Sequence, residues 1–92
     1  MKDNMEKFKY NISDILELPK DIMMDLPKIT LIGSIQVLIS NHKGIIEYTK
    51  EVIRVNSNSG VIKVVGKDMY IKIILVEEII IVGNIEKIEF LN

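Results

Sequence analysis

The stretch from Val61 to Leu91, VIKVVGKDMYIKIILVEEIIIVGNIEKIEFL, decides how this chain folds. Most of its apolar residues are isoleucine and valine. Their β-branched side chains are stiff at χ1 and suit a pleated surface better than a helix. Val61–Val65 runs into Gly66-Lys67-Asp68, a tight hairpin-like signal. Met69–Leu75, Glu78–Val82 and, after Gly83-Asn84, Ile85–Leu91 read as three more short strands. In Ile85–Leu91 apolar and charged residues mix, so one side is wet. In Ile79-Ile80-Ile81-Val82 both faces are apolar, and such a strand needs cover on both sides.

Upstream the pattern repeats at shorter length. Ile29–Ile32 ends at Gly33, and Ile35–Ser40 ends at Asn41-His42-Lys43-Gly44. Ile45–Thr49 and Val52–Val55 follow, the latter closed by Asn56-Ser57-Asn58-Ser59-Gly60. Turn signals spaced roughly eight to twelve residues apart predict an all-β sandwich, roll or barrel. The expected fold is mainly β, with about seven or eight short, mostly antiparallel strands over residues 29–92. A faint repeat gives a second possibility. Ile35-Gln36-Val37, Ile45–Tyr48 and Val52–Val55 resemble Ile62-Lys63-Val64, Tyr70–Ile73 and Ile79–Val82 in the same order. This pattern would suit two similar three-stranded units or a short β-solenoid-like stack.

Residues 1–28 read differently. Met5, Phe8, Ile12, Ile15 and Leu16 recur at helical spacing, with Lys2, Lys7, Lys9, Asp14 and Glu17 on other faces. Pro19 ends that pattern, and Ser13 is a candidate cap for a later start. Pro19 and Pro27 bracket a linker with Asp21 as a candidate N-cap. This helical arm is expected either to pack on the sheet or to dock elsewhere.

Composition narrows the function. The chain has 92 residues, one domain's worth, and no cysteine. Disulfides, thiolate zinc sites and thiol nucleophiles are therefore excluded. Twelve basic and thirteen acidic residues give a net charge of -1, which argues against a nucleic-acid footprint and against attraction to anionic lipid. No apolar run reaches the length of a transmembrane helix, and the N-terminus lacks the apolar core of a secretory signal. A cytoplasmic protein is expected. Near-neutral charge with 48% hydrophobic residues eases self-association, so a homo-oligomer is expected too.

Catalytic constellations are missing. The sole histidine, His42, sits among turn residues and reads as a surface position. Asp21 and Asp25 read as a cap and a solvated side chain. Glu77 and Glu78 are adjacent, so on a strand they would point apart. No serine or threonine stands in a nucleophile elbow, and no glycine-rich phosphate loop is present. Tyr48 with Lys50 and Arg54, and Tyr70 with Lys67 and Lys72, are the nearest approach to a single-strand nucleic-acid binder; solvated strand faces explain both. No catalytic, cofactor-binding or metal residue is expected, and no cofactor.

Several segments together carry a family resemblance. They are Leu18-Pro19-Lys20-Asp21-Ile22, Asp25-Leu26-Pro27-Lys28-Ile29-Thr30-Leu31-Ile32-Gly33, Asn41-His42-Lys43-Gly44-Ile45, Gly66-Lys67 and Glu77–Ile85. In this order and spacing the chain resembles the YabP/YqfC family of sporulation proteins, the YqfC branch in particular. The turn-forming members of that pattern are Leu18, Pro19, Asp21, Asp25, Pro27, Gly33, Asn41, Gly44, Gly66 and Gly83. The N-terminal arm is mixed in charge here, where the branch is usually more basic.

The resemblance implies a non-enzymatic protein of endospore formation, working in the mother cell near the forespore. It also implies a link to a larger membrane protein of the YqfD type, encoded alongside. The expected function is protein–protein contact, with Met5, Phe8, Ile12, Ile79, Ile80 and Ile81 as candidate interface residues. A self-assembling structural element of the spore and a small nucleic-acid-binding barrel are the alternatives.

Overall fold

The computed structural model describes residues 26–92, and all of its regular structure is strand. The strands are β1 (Lys28–Ile32), β2 (Gln36–Ser40), β3 (Ile45–Tyr48), β4 (Val52–Ser57), β5 (Gly60–Ile74) and β6 (Glu78–Leu91). They form one six-stranded sheet in the order β1-β2-β6-β5-β4-β3, and every neighbouring pair is antiparallel. The expected N-terminal helix lies outside the described residues.

The mainly β, antiparallel expectation holds, but the strand count does not. Six strands replace seven or eight, because two expected breaks fall inside continuous strands. Gly66-Lys67-Asp68 is not a hairpin turn. It belongs to β5, where the register against β6 shifts between Val65 and Gly66 and again between Lys67 and Tyr70. Gly83-Asn84 lies opposite it within β6. A bulge adds residues to one strand and bends it without ending the pairing. Glycine and aspartate suit both a bulge and a turn, so local sequence cannot separate the two. The stacked alternative does not form, since solenoid coils would pair in parallel. The faint repeat would also map β2 and β3 onto the two ends of a single strand, β5.

The bend divides the sheet into two halves that share β5 and β6. In the first half, β2 pairs with Glu78–Val82 at the start of β6, and β1 flanks β2. In the second, β4 pairs with residues 60–65 at the start of β5, and β3 flanks β4. The connection between the halves shows that the sheet curls. Four residues, 41–44, lead from β2 to β3, although three strands lie between them. A flat sheet would set β2 and β3 about 19 Å apart, at the ~4.8 Å strand spacing. Five Cα steps span at most about 17 Å even when fully extended. The crossover is also tied to both halves. The Asn41 N–H donates to the Glu77 carbonyl at 2.6 Å and the Lys43 N–H to the Asn56 carbonyl at 2.8 Å.

Curling encloses one core. Val37 and Ile39 from β2, Ile53 and Val55 from β4, Ile62 and Val64 from β5, and Ile79 and Ile81 from β6 are at most 1% exposed. Met69 and Ile85 complete the cluster at the bend. The buried residues alternate along each strand, as a sheet with one dry face requires. The core is aliphatic apart from Met69, in keeping with a chain of which aromatics make up only 5%.

Two glycines allow the bend. A Cβ on Gly83 would lie 2.6 Å from the Met69 Cα, and one on Gly66 would run into the Asn84 carbonyl oxygen. The backbones of β5 and β6 approach too closely there for any side chain.

Candidate interaction surface

Three features of the described surface stand out, and each follows from the strand pattern. The first is the tip of the β5–β6 hairpin. Its loop, Leu75-Val76-Glu77, contains no glycine, proline or asparagine, the residues that usually make such turns. Ile74, Leu75 and Val76 are 54%, 57% and 91% exposed. Glu77 and Glu78 follow, both exposed, and among the described residues neither has an ion-pair partner. The tip is nonetheless held. The Leu75 N–H donates to the Glu78 carbonyl at 2.7 Å, and the Asn41 N–H fixes the Glu77 carbonyl.

The second feature is the clamp behind the tip. His42 is only 7% exposed. Its Nδ1 lies 3.0 Å from the Gly44 N–H and accepts from it. Its Nε2 lies 2.9 Å from the Leu75 carbonyl oxygen. Because Nδ1 accepts, the proton of the neutral ring belongs on Nε2, which then donates to Leu75. His42 therefore corrects its surface reading. The turn around it is real, but the crossover carries the ring inward, where it ties the β2–β3 connection to the hairpin tip. Nothing in Asn41-His42-Lys43-Gly44 signals this, since Leu75 lies far along the chain. Asn41 and Gly44, at φ 63° and 112°, set the backbone on either side.

The third feature is a contrast between the two outer faces. On the first half-sheet, cross-strand register sets Thr30, Leu38, Ile80 and Ile73 in one row. Ile32, Gln36, Val82 and Tyr70 form the next. The only charge among them is Lys72, the extra residue of the β5 bulge beside Ile73. The second half-sheet turns Glu47, Arg54, Lys63, Lys87 and Glu89 outward, with ion pairs Arg54–Glu47 at 3.7 Å and Lys87–Glu89 at 3.2 Å. Strand residues facing water are normally of this second kind.

These placements sort the sequence candidates. Ile79 and Ile81 point into the chain's own core, so the curled sheet itself supplies the inner cover that the Ile79–Val82 run requires. Ile80 alone of that trio faces outward, beside Val82. Gly66 and Gly83 form the bend, and Gly33 lies in the β1–β2 turn at φ 52°. Pro27 immediately precedes β1. Met5, Phe8, Ile12, Leu18, Pro19, Asp21 and Asp25 lie outside the described residues. The apolar hairpin tip was missed by sequence reading, although it had a signal: the run Ile71–Val76 ends directly in two glutamates with no turn-forming residue between.

An open cleft of about 320 Å³ lies where the β3–β4 turn meets the β5 bulge. It is lined by Lys50, Glu51, Lys67 and Asp68, all exposed. Its backbone is tied by Gly66 N–H to Glu51 carbonyl and Met69 N–H to Lys50 carbonyl bonds. Among the described residues no group of three or more His, Asp or Glu side chains is placed to hold a metal ion. Nor is any helix among them long and apolar enough to cross a membrane.

Comparison with known proteins places this architecture. The YabP family model matches residues 25–92, the whole of the described sheet. The chain belongs to the YabP family. It is 34% identical over 92 residues to a protein of Bacillus subtilis (strain 168) designated uncharacterized protein YqfC, covering 100% of this chain and 99% of the relative. No solved structure matches it. Within the family match, the bend glycines, the His42 crossover and the hairpin tip all fall in the shared region.

Proposed function

We propose that this YabP family member is a non-enzymatic factor of endospore formation that acts by protein–protein contact through the tip of its β5–β6 hairpin. The single observation that carries the reading is the tip itself. Ile74, Leu75 and Val76 stand in water while His42 and Asn41 hold the backbone beneath them. An exposed apolar cluster on an ordered element favours docking, because little further ordering is needed when a partner closes over it. Glu77 and Glu78 beside the apex suit a partner whose apolar pocket is rimmed by basic side chains. They oppose docking on an anionic lipid surface.

The family match supports the sporulation setting. The partner that best fits it is a membrane protein of the YqfD type, which would bring this chain to a membrane in the mother cell. Val76→Asp tests the reading. The apex side chain is almost fully exposed, so the fold tolerates the change. Co-expressed with that membrane protein in a spore former, the unaltered chain is expected to be retained with the membrane fraction. Val76→Asp is expected to lose retention and to lower spore yield. Equal retention of both proteins would refute the hairpin tip as the contact.

A second reading, self-association, rests on the apolar rows of the first half-sheet's outer face. Light scattering across a concentration series decides it: a constant monomer mass removes it.

A further inference from the structure

Beyond the bend, β6 has an open edge. β2 pairs only with Glu78–Val82, so among the described residues 86–91 have β5 as their sole strand neighbour. The corresponding edge of β5 is closed by Tyr48, which reaches across from β3 and accepts the Ile71 N–H at its hydroxyl, 2.9 Å away. On β6 the β1–β2 turn closes only the start, where the Gly83 and Ile85 N–H groups donate to the Ile35 and Ser34 carbonyls. Backbone direction past that point follows from the β4–β5 turn. Ser57 and Gly60 flank two turn residues and bond each other, so Val61, Lys63 and Val65 bond toward β6. Their partners Leu91, Glu89 and Lys87 are thereby engaged. Ile88 and Phe90 turn their N–H and C=O groups to the free side.

The side chains make this edge selective. Lys87 and Glu89 stand on the outer face as an ion pair 3.2 Å apart. Ile88 and Phe90 are on the inner face, opposite the buried Val64 and Ile62, yet Phe90 is 68% exposed. Charges on an edge oppose pairing with an arbitrary strand. They favour a strand of the reverse pattern, and a two-fold copy of the same edge is one. With the axis at Ile88, antiparallel pairing sets Lys87 opposite Glu89 of the second copy, and Glu89 opposite its Lys87, at Cβ separations of about 5 Å. The two ion pairs then join into a ring of alternating charge. Ile88 meets Ile88 of the copy, and the exposed Phe90 lies diagonal to it. The pairing ends at Glu86, the extra residue of the β6 bulge. The outermost strands fit themselves less well. On β1 a two-fold pairing about Thr30 sets Lys28 against Ile32, and β3 has only four residues and a bulge.

We infer that two copies of this chain pair β6 to β6 about Ile88, joining their charged half-sheets into one sheet across the axis. A single strand pairing buries far less than the ~800 Å² per partner of a stable interface, so this dimer forms and dissociates with concentration. It uses neither the hairpin tip nor the apolar rows of the other half-sheet.

Sedimentation equilibrium from micromolar to millimolar chain is the test. The unaltered chain is expected to pass from monomer to dimer. Lys87→Glu sets like charges opposite each other at two places and is expected to weaken the dimer at least ~10-fold. Glu89→Lys does the same with the opposite sign. Mixed together, the two variants are complementary again and are expected to pair with each other. Thr30→Asp, which puts a charge in the apolar rows, is expected to change nothing. In a mixture of isotope-labelled and unlabelled unaltered chain, an intermolecular NOE is expected between the Lys87 and Glu89 Hα protons, which a non-hydrogen-bonded antiparallel pair brings together. A monomer at every concentration would overturn the inference. So would a Lys87→Glu chain that dimerises like the unaltered one, or two variants that ignore each other when mixed. Dissociation by Thr30→Asp in place of Lys87→Glu would also overturn it, by assigning self-association to the apolar rows. All arms use the chain alone, so the outcome is independent of the Val76→Asp experiment.

Discussion

Replacing Gly83 with alanine tests whether the close crossing of β5 and β6 is what lets one sheet enclose a core. The added Cβ would lie 2.6 Å from the Met69 Cα and 3.0 Å from the Asp68 carbonyl oxygen, where ordinary contacts are 3.4–4 Å. Both obstacles are backbone, so β5 must retreat by most of an ångström, and the bend must open with it. Overpacking of this kind costs about 1–3 kcal/mol. The φ of 156° at Gly83 is one that side-chain-bearing residues rarely adopt, which adds about 1 kcal/mol. The sum is roughly 2–4 kcal/mol, and for a domain of this size each kcal/mol lowers Tm by about 4–8 °C. Thermal unfolding followed by circular dichroism should therefore show a fall of at least ~8 °C. Gly33→Ala is the control. Gly33 also has a positive φ, 52°, but its Cβ would meet nothing within 4 Å. Its left-handed penalty of ~1–2 kcal/mol is partly offset by the reduced entropy of the unfolded chain. If Gly33→Ala destabilises as much as Gly83→Ala, the close approach at the bend contributes nothing and the reasoning fails.

Ile81→Ala removes a fully buried side chain from the point where both halves meet, so chemical denaturation should register a loss of about 2–5 kcal/mol. Ile80→Ala, one residue away on the outer face, should cost clearly less, and equal losses would contradict the inward–outward assignment. His42→Ala strips the part-buried Gly44 N–H and Leu75 carbonyl of their partner, and each lost hydrogen bond costs about 0.5–1.5 kcal/mol. Hydrogen exchange should then speed up at the Asn41 and Leu75 amides more than at the core of β4, whereas a uniform change would argue against a local clamp. In the ring ¹⁵N spectrum of the unaltered protein, the neutral form of His42 should carry its proton on Nε2, and an Nδ1–H tautomer would contradict the Gly44 contact.

Much of the sheet was legible because isoleucine and valine at alternate positions leave few other options. Val37 with Ile39, Ile53 with Val55, and Ile62 with Val64 each put two buried side chains on one face with a less buried residue between them. What sequence could not give was the distinction between a turn and a bulge. Gly66-Lys67-Asp68 and Gly83-Asn84 have turn composition, yet each faces the other across a continuous ladder. Only their pairing, which depends on residues far apart in the chain, turns two apparent breaks into one bend. The role of His42 was hidden for the same reason. Its partner Leu75 becomes a neighbour only after the crossover has curled the sheet.

The two sides of Ile79–Val82 have different environments, and that difference organises the molecule. Inward, Ile79 and Ile81 need no second subunit, because the bend brings β4 and the start of β5 over them. The same bend separates two outer faces that a flat sheet would have merged, and their sequences have diverged accordingly. One carries Arg54, Lys63, Lys87 and Glu89 in water. The other carries Leu38, Ile80 and Val82 with no charge between them. This apolar centre is not explained by the core, since the core lies on the opposite side. The hairpin tip is apolar too, but it is held from behind by His42, which is what suits it to the proposed contact with another protein.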